Sequence, residues 1–128
     1  MIIADTDALI DYLQGRAPMA ERIALELQHG QLRTTAVARF ELLASASSPR
    51  QERLITELLG ALPCLLLDAA AADRGAQIRR ELEQGGVTIS LADCLVAGIT
   101  IESKGVLLTR KREHLGRVPG LALDTLPA

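Results

Sequence analysis

The sequence predicts an α/β fold, a three-layer α/β/α sandwich with a short, mainly parallel central sheet, formed by a single domain over residues 1–128. Short apolar runs alternate along the chain with segments of helical periodicity, which is the pattern of a parallel sheet covered by helices. The length of 128 residues is usual for one domain. Hydrophobic residues make up 48% of the chain, and this content excludes a disordered protein.

The amino-terminal half is predicted to contain two strands and four helices. Glycine and proline indicate their limits, because glycine often follows the last turn of a helix and proline is favoured in the first turn. Gly15 and Gly30 follow the first two helices, and Pro49 opens the fourth. The predicted strands are 2–4 and 32–35, and the predicted helices are 6–13, 18–28, 36–46 and 49–60.

The carboxyl-terminal half is predicted to contain three strands and two helices. The strands are 64–67, 106–108 and 121–123, and the helices are 69–84, ended by Gly85-Gly86, and 90–103. In sheets of this kind, ligands bind beyond the carboxyl ends of the strands. Charged residues at those ends are therefore the first candidates for a functional site.

Composition restricts how the protein could handle nucleic acid. The formal charge of −2 gives no general attraction to a polyanion, and Tyr12 and Phe40 are the only aromatic residues. This excludes RNA-binding modules that stack bases on an aromatic sheet face. If the protein acts on RNA, it must use a local basic patch and chemistry on the phosphate backbone.

The sequence also predicts where the protein resides. Cys64 and Cys94 lie in apolar runs without CxxC spacing, so we expect buried thiols in a reducing cytoplasm rather than a metal site. The amino terminus has no basic segment and reaches Asp5 before a signal core could form. The apolar runs fall short of the roughly 18 residues that a membrane span needs. We therefore expect a soluble, cytoplasmic protein that does not enter the membrane.

Asp5 and Asp7 follow the first predicted strand. Helix caps are commonly aspartate, and Asp7 immediately precedes the apolar run Ala8-Leu9-Ile10. We therefore predict that Asp7 caps the helix and that Asp5 remains at the strand end as a functional carboxylate.

Glu41 lies in a helix whose core-facing stripe is predicted from Val37, Phe40 and Ala44, spaced i, i+3 and i+7. It is four residues after Val37 and projects from the edge of that stripe. A carboxylate there costs free energy unless a cation or hydrogen-bond donors compensate it. A boundary side chain that reaches water is an equal alternative.

Asp93 has both a structural and a functional interpretation. Ser90-x-x-Asp93 is a capping-box pattern, which opens the predicted helix. The rest of this helix is apolar up to Thr100 and Glu102, so we expect it to be buried. A carboxylate in its first turn is favoured by the helix dipole and is also well fixed as a metal ligand. The two roles are compatible.

Carboxylates from separate elements that meet in one pocket repel each other unless a hard cation lies between them. Mg²⁺ and Mn²⁺ prefer oxygen ligands, and such an ion lowers the pKa of a bound water and stabilises charge on a phosphodiester. Neither His29 nor His114 is placed as a zinc ligand or as the base of a catalytic triad. Metal-assisted phosphodiester hydrolysis is the chemistry that these residues allow best.

Four segments, taken in order, carry a family resemblance: 2–11, 35–42, 89–97, and 105–110 with 117–121 behind it. Together they resemble the PIN-domain ribonucleases and, among these, the VapC toxins of prokaryotic toxin–antitoxin modules. The resemblance implies that Asp5, Glu41 and Asp93 form one acidic site that binds Mg²⁺ or Mn²⁺ and activates water to cut RNA. It also implies a cognate antitoxin, whose tail blocks the site, and a homodimer.

The loop after the predicted strand 106–108 departs from the family pattern. The family often has a fourth acidic or amide residue here, but this chain has Lys111 where Asn or Asp is common and His114 where Asp or Glu is common. Either Glu113 replaces the missing group or the site works with three acids. Thr109 and Asp7 are further candidates for the site, and the hydroxyl of Thr109 could equally be a strand-end cap.

Basic residues of the same loop are candidates for binding RNA phosphates at the mouth of the site, with a solvated loop as the alternative. These candidates are Arg110, Lys111, Arg112 and Arg117.

Three other functions compete with this interpretation. Asp5-Thr6-Asp7 resembles the DxD motif of haloacid-dehalogenase-type phosphatases, but only 19 residues follow Thr109, too few for their remaining motifs. Asp68 resembles a receiver-type phosphoacceptor, yet it also suits the cap of the helix from Ala69. A PIN-like binding protein whose altered loop has lost catalysis is the third, and metal-dependent cleavage by the purified protein separates it from the enzyme.

Overall fold

The structure, a computed structural model, describes residues 1–126, which form five strands and seven helices. The strands are β1 (Ile2–Ala4), β2 (Leu32–Thr35), β3 (Cys64–Leu65), β4 (Val106–Thr109) and β5 (Leu123–Thr125). The helices are α1 (Thr6–Leu13), α2 (Met19–Gln28), α3 (Ala36–Ser45), α4 (Pro49–Gly60), α5 (Ala69–Gln84), α6 (Leu91–Ser103) and α7 (Arg112–Leu115).

The five strands form one parallel sheet in the order β3-β2-β1-β4-β5. β1 is central, and its Ile2 pairs with Leu32 of β2 on one side and Val106 of β4 on the other. The chain builds one half of the sheet from β1 to β3 and the other half from β4 to β5. The order therefore reverses beside β1, and the crevice beyond the carboxyl end of such a reversal is where parallel sheets bind ligands.

Helices cover both faces of the sheet, as adjacent residues of β1 show. The side chain of Ile3 belongs to an apolar cluster with α5 and α6, whereas that of Ala4 belongs to a second cluster with α1, α2 and α4. Successive residues of a strand point to opposite faces, so each face of the sheet has its own core. The three-layer α/β/α sandwich predicted from the sequence is confirmed.

Close packing of α5 against α6 depends on two glycines. A Cβ atom on Gly98 would overlap the carbonyl oxygen of Ala71 and lie 2.9 Å from the backbone nitrogen of Gly75. A Cβ atom on Gly75 would lie 3.0 Å from the carbonyl oxygen of Cys94. The absence of side chains at these positions brings the two backbones together and fixes α6, which carries Asp93 at its first turn.

Three strands differ from the predicted bounds: β4 is one residue longer, ending at Thr109, and β3 and β5 differ by two residues for identifiable reasons. β3 ends at Leu65 rather than residue 67, because its partner β2 ends at Thr35 and turns into α3; Leu66 is 74% exposed. β5 begins at Leu123 rather than residue 121, because Leu121 still belongs to a turn in which its N–H donates to the carbonyl of Val118. The short helix α7 was not predicted.

The predicted core-facing stripe of α3 is wrong. Phe40 is 71% exposed and Ala44 is also exposed, whereas Ala38 and Leu42 are buried. The hydroxyl of Thr35 accepts a hydrogen bond from the N–H of Ala38 and caps the helix. Ala38 and Leu42 are four residues apart and fill the core side, so Phe40 is directed to the surface.

Two other sequence predictions concern cysteines and the membrane. Both cysteines are free thiols; Cys94 is buried, as predicted, while Cys64 is only partly so. Within the described residues, no helix has the length and apolar character needed to cross a membrane.

Candidate active site

Asp5 stands at the carboxyl end of β1 and caps α1. Its Oδ1 accepts a hydrogen bond of 2.9 Å from the N–H of Thr6, and its Oδ2 accepts one of 2.8 Å from the hydroxyl of Thr109 at the end of β4. The prediction that Asp7 is the cap is wrong, because the helix begins at Thr6 and Asp5 has the extended backbone of an N-cap. Asp5 is therefore both the cap and a buried carboxylate at the strand end.

Burial raises the pKa of Asp5 from 3.8 to about 6. The charge of Lys111 opposes this effect most strongly, the neighbouring charge of Asp7 adds to it, and the hydrogen bonds from Thr109 and Thr6 oppose it. Only 1% of the surface of Asp5 is exposed. The site therefore holds a carboxylate that favours a nearby cation, since cations stabilise its charged form.

Asp93 lies in the first turn of α6 and faces the same region. Its N–H donates to the hydroxyl of Ser90 at 3.1 Å, so the capping contact predicted from the sequence is present. The Asp93 carboxylate does not bond back to the backbone N–H of Ser90, as it would in a full capping box. Instead, Oδ1 accepts a hydrogen bond of 2.8 Å from the ammonium group of Lys111. Asp93 is buried, with 5% of its surface exposed.

Lys111 directs its ammonium group between the two buried carboxylates. Nζ lies 2.8 Å from Oδ1 of Asp93 and 3.9 Å from Oδ2 of Asp5. Burial lowers the pKa of Lys111, but the hydrogen bond to Asp93 and the charges of Asp5, Asp93 and Asp7 outweigh it, so the pKa lies above its ordinary value. Sequence reasoning proposed Lys111 as a phosphate contact and missed this inward orientation.

Asp7 contacts Thr109 and Arg110, where β4 ends and the following loop begins. Its Oδ2 accepts a hydrogen bond of 3.1 Å from the N–H of Arg110, and Thr109 Oγ1 lies 3.3 Å from the same oxygen. Burial raises the pKa of Asp7, although the hydrogen bond and charge of Arg110 and the charge of Lys111 oppose the change.

Arg110 also bonds a buried carboxylate that sequence reasoning missed. Its Nε lies 3.0 Å from Oδ2 of Asp11 and 3.9 Å from Oδ2 of Asp7. The spacing of Asp7 and Asp11, four residues apart on one helix, was the available signal, because side chains at this spacing share a helix face. The guanidinium group of Arg110 is thus engaged within the protein.

Glu41 is held beside Asp5 through a shared neighbour. Its Oε1 accepts a hydrogen bond of 2.6 Å from the hydroxyl of Thr6, the residue whose N–H binds Asp5. Glu41 is partly exposed. The structure therefore brings Asp5, Asp7 and Asp93 around Thr109 and Lys111, with Glu41 adjacent to this group.

Other candidates lie outside that group. Glu113 is exposed in α7, and its side chain forms no hydrogen bond or ion pair within residues 1–126. Arg112 donates from Nε and Nη2 to the hydroxyl of Thr125 on β5, at 3.0 and 2.8 Å. Arg117 is exposed in the same loop. Asp68 caps α5 by accepting a hydrogen bond from the N–H of Ala71 at 2.9 Å.

The acidic group offers the oxygen donors that a divalent cation prefers, although it does not surround a single point with many protein ligands. In the part of the chain that the structure describes, no three side chains of Asp, Glu, His or Cys are arranged to hold a metal ion. Mg²⁺, however, is commonly held by one or two carboxylates and several waters. Asp93 Oδ1 and Asp5 Oδ2 face one position that a cation, the Lys111 ammonium, already occupies. The donor chemistry of these two buried carboxylate oxygens therefore fits a hydrated divalent ion.

An apolar patch adjoins Glu41. Phe40 and Leu91 are 71% and 61% exposed and belong to a shallow cavity of about 360 Å³ between α3 and the start of α6. Leu67, beyond β3, lines the same cavity. A separate cavity of about 530 Å³ lies among α1, α3 and α4, lined by residues that include Ile10, Leu42 and Leu54. The acidic group thus has an exposed apolar neighbour on the Glu41 side.

Comparison with known proteins gives one family and a set of similar folds. The PIN domain family matches residues 2–121. No curated protein matches the sequence significantly. The structure is similar to that of VapBC2 from Rickettsia felis bound to a promoter DNA fragment, with a TM-score of 0.85 and 20% identity over 99% of this chain and 100% of that one.

Two further structures are similar. DNA-bound VapBC from Salmonella typhimurium gives a TM-score of 0.85 and 22% identity over 97% of this chain and 96% of that one. A toxin–antitoxin complex from Klebsiella pneumoniae gives 0.74 and 21% identity over 95% and 96%. At these identities, the likeness establishes the fold.

Proposed function

Because this chain belongs to the PIN-domain family, we propose that it is a metal-dependent endoribonuclease and the toxic component of a type II toxin–antitoxin module. The observation that carries the proposal is the convergence of Asp5 and Asp93 on one cation position beyond the carboxyl ends of β1 and β4. The similar folds in toxin–antitoxin and VapBC complexes support the proposed role as a toxin.

In this proposal, Asp5 and Asp93 hold the ion, Mg²⁺ or Mn²⁺. When bound, the ion would supply a water of lowered pKa and would stabilise charge on the phosphodiester. The hydroxyl of Thr109 and the N–H of Thr6 each bind one oxygen of Asp5 and fix the plane of its carboxylate. Glu41 is partly exposed, unlike Asp5 and Asp93, and it is joined to Asp5 through Thr6, so it is the group placed to accept a proton from the attacking water.

RNA would reach the site across the loop after β4. Arg117 and Arg112 are exposed there and can neutralise phosphates along the strand. Arg110 contributes less to binding, because its guanidinium group already contacts Asp11 and Asp7. This arrangement recognises the RNA backbone rather than the bases, which agrees with a chain that has one tyrosine and one phenylalanine.

A cognate antitoxin is the proposed protein partner, and the apolar patch beside Glu41 is its proposed binding surface. Large apolar side chains such as Phe40 and Leu91 are exposed together there, and contiguous exposed apolar surface is typical of protein interfaces. A homodimer is proposed as well; Leu25 on α2 and Leu54 on α4 are 45% and 44% exposed and could supply apolar surface for it. The proposed place of action is the cytoplasm.

Cleavage of total cellular RNA by the purified, antitoxin-free protein tests the function. The assay is run with Mg²⁺ or Mn²⁺ and with EDTA, on the wild type, Asp5→Asn and Asp93→Asn. Asp73→Asn, which changes an exposed carboxylate on α5, is the matched control. We expect cutting by the wild type and the control, and loss of about 100-fold or more in EDTA and in the two site variants.

Other outcomes would point elsewhere. Cutting that persists in EDTA and in Asp5→Asn would identify a contaminant and remove the proposal. Absence of cutting by a folded wild type that binds Mn²⁺ would favour the second candidate, a PIN-like binding protein without catalysis. The position of Lys111 between Asp5 and Asp93 is the observation in favour of that candidate.

A further inference from the structure

We propose that Lys111 is the resident cation of the acidic site and that it competes with a divalent ion for Asp93 and Asp5. The identity of the competing ion, Mg²⁺ or Mn²⁺, rests on the proposed function. The role of Lys111 itself rests on the contacts of its side chain. A lysine at this position would thereby set how tightly the metal binds.

The geometry places one positive charge between two negative ones. Nζ of Lys111 donates a hydrogen bond of 2.8 Å to Oδ1 of Asp93 and lies 3.9 Å from Oδ2 of Asp5. Asp5 and Asp93 are 1% and 5% exposed. Buried carboxylates without a cation are costly, so the ammonium group stabilises the metal-free site. A divalent ion that binds both aspartates must take this position or repel the ammonium group from it.

The backbone of Lys111 is fixed independently of its side chain. Its N–H donates a hydrogen bond of 3.1 Å to Oγ1 of Thr109, the same hydroxyl that donates to Asp5. The side chain is 34% exposed, so part of its stem already lies at the surface. Rotation about its four-carbon stem is therefore sufficient to move the ammonium group outward when an ion enters.

An outward ammonium group would lie at the mouth of the site, where the loop after β4 also exposes Arg112 and Arg117. There it would neutralise a phosphate of the bound RNA. Lys111 would thus neutralise the two aspartates in the metal-free protein and contact an RNA phosphate in the metal-bound protein.

Nuclear magnetic resonance of the wild-type protein tests the displacement directly. The chain has only two lysines, Lys104 and Lys111, so their side-chain Cε and Nζ signals can be assigned without ambiguity. Titration with diamagnetic Mg²⁺ should shift the Lys111 signals towards those of an exposed lysine and leave Lys104 unchanged. Saturation of the site with no change at Lys111 would overturn the proposal.

Binding of Mn²⁺ measured by calorimetry tests the competition. We expect Lys111→Met to bind the ion about tenfold more tightly than the wild type, because one positive charge beside the site is removed. Lys104→Met is the matched control: it makes the same change at an exposed lysine before the start of β4, away from the aspartates, and should bind as the wild type does. Lys111→Asn serves as the second variant if the methionine variant does not fold.

Thermal unfolding in EDTA gives a second readout. Lys111→Met should unfold at a lower temperature than Lys104→Met, and saturating Mn²⁺ should reverse the difference. Equal or weaker Mn²⁺ binding by both Lys111 variants, or no binding by any of the proteins, would overturn the proposal. Since none of these measurements uses cleavage, a protein that binds Mn²⁺ competitively but does not cut RNA would refute the proposed function alone.

Discussion

Thr109 Oγ1 donates a hydrogen bond of 2.8 Å to Oδ2 of Asp5, and this bond joins residues 104 positions apart in the sequence. Asp5 follows β1 and Thr109 is the last residue of the adjacent strand β4, and the register of the two strands pairs Ala4 with Leu108. A single hydroxyl therefore connects Asp5, the carboxylate that the sequence predicted at the end of the first strand, to the loop that carries Lys111. The contact makes the acidic site dependent on correct pairing of the two central strands.

Thr109→Val should destabilise the protein by about 1–3 kcal/mol, because it leaves a buried carboxylate oxygen without its closest donor. Thr34→Val is the matched control: Thr34 is equally buried on β2, and its hydroxyl has no hydrogen-bond partner in residues 1–126. Urea unfolding in EDTA measures both. A Thr109 variant as stable as the Thr34 variant would mean that the bond to Asp5 contributes nothing.

Metal-free stability should depend on pH through Asp5. Because the pKa of Asp5 rises from 3.8 to about 6 on folding, the folded state holds a proton that the unfolded state has lost between these values. Stability therefore falls as the pH rises through this window, by about 3 kcal/mol at most. Asp5→Asn should reduce this fall, and Asp73→Asn should keep it, as measured by urea unfolding in EDTA from pH 4 to 8. Identical pH profiles for all three proteins would contradict the raised pKa.

Glu41→Gln should lower RNA cleavage by about 100-fold, because the amide cannot accept the proton of the attacking water. Glu113→Gln tests the question of the fourth acidic residue. Since Glu113 is exposed in α7 and contacts no member of the acidic group, we expect its loss to change the rate by less than about twofold. Single-turnover cleavage with saturating Mn²⁺ compares the two, and a larger loss in the Glu113 variant would assign it the missing role.

Arg110→Met should lower stability by about 1–2 kcal/mol, since Asp11 then loses its closer ion pair, at 3.0 Å, and keeps only that with Arg16 at 4.0 Å. The expected loss of stability is small because the Arg110 side chain is 45% exposed and solvent partly screens the ion pair. Adding Asp11→Asn should recover most of the loss, in a double-mutant cycle measured by chemical unfolding. Arg112→Met should change stability little, because within residues 1–126 the guanidinium group of Arg112 bonds only the neutral hydroxyl of Thr125. Additive effects of the Arg110 and Asp11 changes would show that the two side chains are not coupled.

Gly98→Ala should destabilise the fold by about 2–4 kcal/mol, because its Cβ would overlap the backbone of α5 at Ala71. Gly60→Ala is the control, since a Cβ there meets nothing within 4 Å and alanine favours a helix. Thermal unfolding should place the two variants on opposite sides of the wild type. A neutral Gly98 variant would indicate that α5 and α6 separate without cost.

The sequence predicted the sandwich and the segments that carry the acidic side chains, for a physical reason. Parallel strands end at the same edge of a sheet, so Asp5 after β1 and Thr109 at the end of β4 meet when those strands pair. The capping contact of Ser90 fixed Asp93 at the start of α6 in the same way. These inferences need only local patterns and the geometry of a parallel sheet.

Other features depend on long-range contacts that a local pattern does not contain. The sequence predicted Lys111 and Arg110 as phosphate contacts in a basic loop. Their long side chains instead turn inward, because Asp93 and Asp11 are buried nearby. Phe40 fits a core stripe by spacing, yet Ala38 and Leu42 occupy that side. The end of β3 is decided by the point where its partner strand stops.

The pairing of the first strand with the fourth also orders events in time. Asp5 is synthesised 104 residues before Thr109. A chain that has not yet reached β4 therefore cannot assemble the group that Thr109 joins, however much of the amino-terminal half has folded. The activity that we propose would thus be withheld from every nascent chain until β4 has been translated and has paired with β1.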